Sequence, residues 1–312
     1  YAPFSFDITD VLGKGRRHTL KVKVTDSTDK WYQPHGKQVS DPRGIWYTAV
    51  TGIWQTVWME PVDKTHITSY YPVSNLDKST ITVDVKTANA YVRDVVEVEL
   101  LEGGIGYNPE TPSDKVIAKA VVSKGKAILA VQEMKTWSPD NPYLYGMRIK
   151  ITRDGKVIDQ VEGYTAMRSI KAGHDKSPNQ YKRMALNGKN LFQFGPLDQG
   201  WWPDGLYTAP CDEALKFDIV KTKEMGFNMI RKHIKVEPAR WFYHCDRLGM
   251  LVWQDMPSGE LKRPYSWARH QVNGGSDTEL TEEFKRNYYK EWGEIIDFCR
   301  FFSSVVVWVP FN

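Results

Sequence analysis

The sequence predicts a multidomain protein in which β-sandwich structure is followed by a parallel β/α unit. Two observations support this prediction. Short alternating strands separated by turn residues fill residues 63–170, whereas strands and single helices alternate over residues 186–259. A polar stretch with glycine and proline at residues 171–182 has the composition of a linker. We therefore expect domains at residues 1–62, 63–170 and 171–312.

Residues 1–62 carry strand signals. Phe4–Ile8 and Leu20–Val24 alternate apolar and polar side chains, with a Gly-Lys-Gly turn between them, and Thr56–Glu60 alternates again. This pattern predicts antiparallel β-structure that forms part of a β-sandwich.

Residues 63–170 contain further short strands at regular spacing, separated by turn signals such as Lys124-Gly125 and Asp154-Gly155. About seven strands with this pattern are typical of an immunoglobulin-like sandwich. The predicted strands are Thr65–Tyr71, Ser79–Thr87, Val95–Leu101, Val116–Val122, Ala127–Val131, Tyr143–Thr152 and Lys156–Val161.

Residues 186–259 alternate strands and helices. Asp212 is the predicted N-cap of the first helix and Gly226 its left-handed end, while Pro238 starts the second helix and Gly249 ends it. Such alternation indicates a parallel sheet with right-handed crossovers. The predicted strands are Leu191–Leu197, Phe227–His233 and Met250–Asp255.

The last part of the chain continues this pattern. A long loop, Met256–Thr278, precedes a helix whose apolar residues recur every three or four positions, from Phe284 to Phe302. Val305–Val309 then reads as a buried parallel strand. Polar residues gather where the strands end, which is the edge at which (β/α) barrels build active sites.

Composition excludes several classes of function. The chain has 42 basic and 38 acidic residues and no basic run, so no nucleic-acid partner is expected. No segment is long and apolar enough to predict a membrane span. The three scattered cysteines predict buried free thiols, and no cluster has metal-ligand spacing, so neither a metal nor a cofactor is predicted.

Five sequence strings resemble glycoside hydrolase family two, which includes β-galactosidases, β-glucuronidases and β-mannosidases. LNGK opens the β/α part, GFNMIR enters its second strand, and WSPDNPYLY lies in the sandwich part. GIWQTVWMEP resembles the end of the family's jelly-roll sugar-binding domain, and VVVWVPFN resembles its fourth barrel strand.

The resemblance implies an architecture and a mechanism. It implies a partial jelly roll, an immunoglobulin-like sandwich and the N-terminal half of a (β/α)8 TIM barrel. It also implies a retaining mechanism with two glutamates, about 5 Å apart in such enzymes. The acid/base glutamate would directly follow Asn312, and the nucleophile would lie on a later strand, so no catalytic residue is assigned within the sequence.

The resemblance implies substrate-binding roles for several residues. Asn312 would bond the sugar 2-hydroxyl, and Arg231 would orient the catalytic carboxylates. Arg231 and His233 are predicted to share one face of their strand. His233 is displaced by one position from the family pattern, so either it does a related job from a different place or Lys235 replaces it; a non-catalytic histidine is an equal alternative.

Three further side chains are assigned to the substrate. Asp198 and Asp255 end strands, and a carboxylate accepts hydrogen bonds from adjacent sugar hydroxyls. Both have the alternative of bracing a loop or capping a helix. Trp202, with Trp201, is predicted to form a stacking platform, although one of the two is expected to serve packing.

The sequence therefore predicts a retaining exo-β-glycosidase that removes terminal β-linked sugars from oligosaccharide or glycoside substrates. β-Galactosidase is the first assignment, and β-glucuronidase or β-mannosidase the second. The alternative is a non-catalytic carbohydrate-binding or assembly protein. Because four barrel strands leave an open edge, a chain ending at Asn312 is expected to self-associate as a homo-oligomer. The resemblance favours a periplasmic or secreted setting.

Overall fold

The computed structural model describes residues 1–15, 17–103, 113–259 and 281–311. The predicted loop Met256–Thr278 falls largely outside the described residues, and Asn312 lies outside them as well. No helix in the described ranges is both long and apolar enough to cross a membrane.

The strands and helices follow the three-part order expected from the sequence. Residues before His66 contain a 3-10 helix, Thr9–Val11, and two short strands, β1 (Gln38–Val39) and β2 (Tyr47–Thr48). The sandwich part contains β3 (His66–Asn75), β4 (Thr80–Ala88), β5 (Val95–Leu101), β6 (Val116–Val121), β7 (Lys126–Ala130), β8 (Tyr145–Arg153) and β9 (Lys156–Thr165).

The β/α part follows. An antiparallel sheet of β10 (Ile170–His174), β11 (Lys182–Leu186) and β12 (Lys189–Asn190) comes first. The remaining elements are β13 (Leu197–Asp198), α1 (Asp212–Glu224), β14 (Met229–Lys232), α2 (Ala239–Leu248), β15 (Leu251–Asp255), α3 (Glu282–Cys299) and β16 (Val305–Val309).

The predicted sandwich strands are confirmed, each within a few residues of its observed bounds. They form two antiparallel sheets, ordered β3-β4-β7 and β6-β5-β8-β9. Alternate residues of β4, namely Ile81, Val83 and Val85, are buried against Val98 and Ile149 of the other sheet. This two-residue period places one face of each sheet in a shared core.

The predicted strands in residues 1–62 are wrong. Phe4–Ile8, Leu20–Val24 and Thr56–Glu60 are not strands, and no β-sandwich or partial jelly roll forms among the described residues of this segment. Its one sheet is the parallel pair of β1 and β2. Alternation alone does not make a strand, because the backbone N–H and C=O groups need a partner strand to form a ladder.

The predicted parallel sheet is confirmed in the order β13-β14-β15-β16, with one helix in each connection. Ile230 and Val252, on adjacent strands, pack with Ile219 of α1 and Cys245 of α2 in one apolar core. The face of the sheet that bears these residues is therefore covered by helices.

The first strand of this sheet is shorter than the predicted Leu191–Leu197. The side chain of Asn228 accepts from the backbone N–H of Phe194 and donates to the carbonyl of Phe192, at 2.8 and 2.9 Å. A side chain thus takes the place of a backbone ladder. A Cβ on Gly195 would lie 1.6 Å from the carbonyl oxygen of Met229, so the chain approaches β14 at a point where only glycine fits.

Helix ends differ in detail from the predictions. Cys211, not Asp212, is the N-cap of α1, and Asp212 is the first helical residue. Pro238 is the N-cap of α2 instead of a residue of its first turn. Gly226 and Gly249 have φ of 86° and 72°, which confirms the left-handed ends. Of the cysteines, Cys245 and Cys299 are buried and free as predicted, whereas Cys211 is free but exposed.

A buried carboxylate on α2 joins the sandwich to the parallel sheet. Asp246 is fully buried, and its two oxygens accept from the hydroxyl of Tyr164 at 2.8 Å and from the backbone N–H groups of Ser303 and Ser304 at 3.2 and 2.6 Å. Its backbone carbonyl accepts from the indole of Trp137 at 2.6 Å. Burial raises the pKa of Asp246 to about 6, although these hydrogen bonds oppose the shift.

We expect Asp246 to make stability depend on pH. Its pKa is raised from 3.8 to about 6, so the native state binds more protons than the unfolded state between these values. The contribution is fully present below about pH 4 and is lost as the pH rises through 6, and two pKa units correspond to about 3 kcal/mol. Urea unfolding at pH 4 and pH 7 measures it.

The control for this prediction is an asparagine variant at each of two sites. Asp246→Asn should lose the dependence, so its stability relative to wild type should change between the two pH values. Asp77→Asn, on an exposed ion pair with Lys171, should not differ from wild type in this respect. Parallel pH profiles for wild type and Asp246→Asn would contradict the assignment.

Candidate functional site

Three predicted site residues meet at the carboxyl ends of β14 and β15. The Arg231 Nε and Nη2 atoms donate to the two oxygens of Asp255, both at 2.9 Å, and His233 Nδ1 donates to Oδ2 of the same carboxylate at 2.5 Å. The Asp255 side chain is 2% exposed and that of Arg231 is 25% exposed. A two-pronged arginine–carboxylate pair of this kind fixes both groups in one geometry.

The prediction that Arg231 and His233 share a face is confirmed, since both contact one carboxylate. The regular strand ends at Lys232, the His233 N–H still donates to the Asp198 carbonyl at 2.8 Å, and Ile234 then takes a φ of 55°. Lys235 does not join this group. Its Nζ donates to the carbonyls of Gly200 and Tyr207, at 2.6 and 2.8 Å.

Asp198 belongs to a different cluster from Asp255. Its Oδ2 accepts from Lys232 Nζ at 2.6 Å, and its Oδ1 accepts from the Gly200 N–H at 2.8 Å. Lys232 Nζ also donates to Glu237 Oε1 at 2.9 Å and lies 4.3 Å from the ring centroid of Trp241. Asp198 therefore braces the helix-facing side of the sheet, and the loop-bracing alternative describes its contacts.

We call Asp198, Lys232, Lys235 and Glu237 the buried-charge cluster. The side chains of both lysines are 1% exposed, and that of Glu237 is 2% exposed. Burial by itself would lower the pKa of Lys232, but Asp198 and Glu237 outweigh it and raise that pKa above its ordinary value. Burial lowers the pKa of Lys235, and Glu237 opposes the shift only in part.

The sequence analysis did not assign Lys232 or Glu237 to a site. Lys232 was expected on the strand face opposite Arg231, and it does lie there, beneath α2. An amphipathic reading could have flagged it, because a lysine on a helix-covered strand face needs a buried counter-charge. Nothing in the sequence identifies Asp198 and Glu237 as its partners.

The aromatic loop after β13 packs on the N-terminal segment. The Trp201 ring stacks on Tyr47, with centroids 4.4 Å apart, and the Tyr47 hydroxyl donates to Gln199 at 2.8 Å. Trp201 therefore serves packing. The backbone of Trp202 pairs with Leu206, and its indole Nε1 is buried without a hydrogen-bond partner among the described residues. The stacking role of Trp202 remains a prediction.

Gly200 allows this loop to approach the buried-charge cluster. It has a φ of 63°, and a Cβ there would lie 2.1 Å from Glu237 Oε1 and 3.1 Å from Lys232 Nζ. We expect Gly200→Ala to destabilise the protein more than Gly188→Ala, a matched control with a φ of 76° and open space around it. The control isolates the left-handed backbone cost, about 1–2 kcal/mol.

The comparison is made by urea unfolding of both glycine variants. The steric contact with Glu237 should add to the backbone cost only at position 200, so the Gly200→Ala midpoint should be the lower of the two. Equal midpoints would show that the cluster relaxes without loss.

Asn312 lies outside the described residues, but the strand that leads to it is placed. Val309 of β16 is in register with Asp255 of β15. The end of β16 thus lies beside the carboxylate that Arg231 and His233 contact. Asp255, Arg231, His233 and the residues after Val309 share one edge of the parallel sheet.

The arrangement at this edge suits recognition of a polar ligand. Asp255 is an anchored hydrogen-bond acceptor, and Arg231 is a partly exposed cation held in place. Asp198 and Glu237 also lie near each other, but both contact Lys232 and are buried, so they do not form an acid/base pair. Among the described residues, no group of three or more His, Cys, Asp or Glu side chains could hold a metal ion.

Comparison with known proteins identifies relatives. Residues 65–168 match the model of Glycosyl hydrolases family 2. A β-galactosidase of Thermoanaerobacter pseudethanolicus is 26% identical over 277 residues, which cover 86% of this chain and 35% of that protein. A putative β-glucuronidase of Formosa agariphila is 25% identical over 322 residues, covering 99% of this chain and 27% of that protein. The chain thus spans about a third or less of the length of these relatives.

Solved structures share the fold. A β-glycosidase from Bacteroides vulgatus superimposes with a TM-score of 0.63 at 20% identity, over 84% of this chain and 32% of that one. A β-glucuronidase from Ruminococcus gnavus gives 0.60 at 18% identity, over 80% and 37%. The chain therefore carries a glycosyl hydrolases family 2 domain at residues 65–168 and resembles β-glycosidases of that family over most of its length.

Proposed function

We propose that this chain is part of a retaining exo-β-glycosidase that hydrolyses terminal β-linked sugars. The observation that carries the proposal is the Arg231–Asp255–His233 group at the carboxyl edge of a parallel sheet. This is the edge at which β/α enzymes place substrates. The relatives named above support hydrolysis of a glycosidic bond as the reaction.

In this proposal, residues 63–170 are an immunoglobulin-like spacer, and residues 171–312 are the first half of a (β/α)8 barrel. The sheet order β13-β14-β15-β16 with alternating helices supports the second assignment. The acid/base glutamate directly follows Asn312, and the nucleophile lies on a later strand.

Each residue of the group has a role. Asp255 holds the guanidinium of Arg231 and the ring of His233 by three hydrogen bonds. Arg231 orients the catalytic carboxylates by its charge. Asn312 bonds the sugar 2-hydroxyl, a contact that strengthens in the transition state. Trp202 packs beside the sugar ring. Asp198 acts indirectly, through Lys232 and the Gly200 loop.

β-Galactosidase is the preferred activity and β-glucuronidase the second candidate, since relatives bearing each name match the chain. The test uses the full-length protein with 4-nitrophenyl β-D-galactoside, β-D-glucuronide and β-D-mannoside. Proton NMR of the first-formed product reports its anomeric configuration. We expect galactoside turnover with a β product. Sugar binding without turnover of any β-glycoside would instead support a non-catalytic carbohydrate-binding protein.

A further inference from the structure

A cavity of about 190 Å³ lies between the N-terminal segment and the aromatic loop. Tyr207 comes from that loop, and the other lining residues lie between residues 1 and 54, among them Asp26, Thr28, His35 and Trp54. Drug-sized sites have about 300–1,000 Å³. A cavity below that range suits a compact ligand the size of one sugar ring.

The cavity is attached to the edge that carries Asp255. The backbone N–H groups of His35 and Gly36 donate to the carbonyl of Ser258, three residues after Asp255, at 3.0 and 2.7 Å. Trp54 contacts Tyr207 edge to face, with centroids 4.7 Å apart. Its walls are therefore held against the loops that follow β13 and β15.

One lining residue has an unmet hydrogen-bonding group. His35 is 8% exposed, and its Nδ1 is buried with no hydrogen-bond partner among the described residues. Leaving a buried polar atom unpaired costs about 1–3 kcal/mol. Burial lowers the pKa of His35, opposed in part by Asp29 and Asp26, so the ring is neutral near pH 7. A neutral imidazole nitrogen can donate to or accept from a hydroxyl group.

The charge of the lining limits the ligand. None of the described residues that line the cavity is lysine or arginine. The Asp26 carboxylate is present, and it accepts from the Thr28 N–H, from Gln33 Nε2 and from Thr51 Oγ1. A ligand with its own carboxylate would meet a negative charge without a compensating cation. The lining therefore favours a neutral, hydroxyl-rich ligand over an anionic one.

We propose that this cavity is a binding position for one ring of a neutral sugar, with the buried Nδ1 of His35 bonding a ring hydroxyl. The choice of a sugar as ligand rests on the proposed glycosidase function. The position is separate from the Arg231–Asp255–His233 group and is built by residues of the N-terminal segment and Tyr207. It makes a neutral glycoside a better ligand than a uronate.

The test measures binding of methyl β-D-galactopyranoside and of D-glucuronate to the full-length protein by titration calorimetry. His35→Leu removes the unpaired nitrogen, and Val24→Trp fills the cavity from a partly exposed wall position. His174→Leu, at an exposed histidine of β10, is the matched control. Circular dichroism melts verify that each variant is folded.

We expect galactoside affinity to fall about tenfold, or about 1.4 kcal/mol, in His35→Leu. Val24→Trp should abolish this binding, and His174→Leu should leave it unchanged. Wild type should bind glucuronate more weakly than galactoside, and binding should persist in Asp255→Asn.

Two results would overturn the proposal: wild-type affinity in both folded cavity variants, or glucuronate binding at least as tightly as galactoside. Turnover on the same samples separates the two proposals. Hydrolysis together with cavity variants that bind normally removes the cavity assignment and keeps the glycosidase. Binding that depends on His35 without any hydrolysis does the opposite.

Discussion

Asp255→Ala is expected to reduce kcat/KM of the full-length protein by at least about 10²-fold, because misplacing a group near the chemistry by about 1 Å costs that much. The substitution removes the acceptor of three hydrogen bonds and leaves Arg231 and His233 without their shared carboxylate. Asp255 is nearly fully buried, so the variant should also lose stability, by about 3–5 kcal/mol as for other broken buried pairs. Steady-state kinetics on 4-nitrophenyl β-D-galactoside and urea unfolding measure the two effects.

Two controls separate positioning from simple loss of structure. Asp255→Asn keeps one side-chain oxygen as an acceptor and should retain more activity than Asp255→Ala. Asp41→Ala removes the carboxylate of an exposed pair with Arg43 and should change neither kinetics nor stability measurably. A folded Asp255→Ala protein with wild-type kcat and KM would remove this residue from the site.

Lys232→Met is expected to be the most destabilising change in the buried-charge cluster, at about 3–5 kcal/mol. Methionine preserves the apolar stem and its contact with Trp241, but it removes the ammonium that Asp198 and Glu237 share. Two carboxylates would then remain near each other, one of them almost completely buried. Chemical denaturation at pH 7 gives the free energy of unfolding.

The control is Lys221→Met, which breaks an exposed ion pair with Glu224 and should cost no more than about 1 kcal/mol. Combining Lys232→Met with Asp198→Asn removes one orphaned charge as well. The double variant should therefore be less destabilised than the sum of its single variants, since the two groups are in contact. A strictly additive result would mean that Asp198 and Lys232 do not stabilise each other.

The sandwich strands could be predicted because their pattern is local. In β4 every second residue is buried, and this period is visible in the sequence from Ile81 to Val85. The Arg231–Asp255–His233 group could also be predicted, because parallel strands bring their carboxyl ends to one edge. Strand order and the direction of alternate side chains were sufficient there.

Other features depended on tertiary contacts that no local pattern reveals. Phe4–Ile8 alternates as well as β4 does, but it has no strand beside it and its two phenylalanines are exposed. Asp198 ends a strand as Asp255 does, but it turns toward the helix layer because Lys232 lies beside it in register. The identity of the neighbour, rather than the residue itself, decided both outcomes.

The position of Asp246 couples the cooperativity of the two parts of the chain. Its carboxylate bonds Tyr164 of β9 and the backbone just before β16, while its carbonyl bonds Trp137. Arg168 extends this junction by donating to the carbonyls of Ser303 and Val305 at 2.8 and 2.9 Å. Local unfolding of the sandwich would thus expose a buried carboxylate and unpaired backbone groups in the parallel sheet. Residues from β9 to β16 therefore belong to one cooperative folding unit, although they lie in separate sheets.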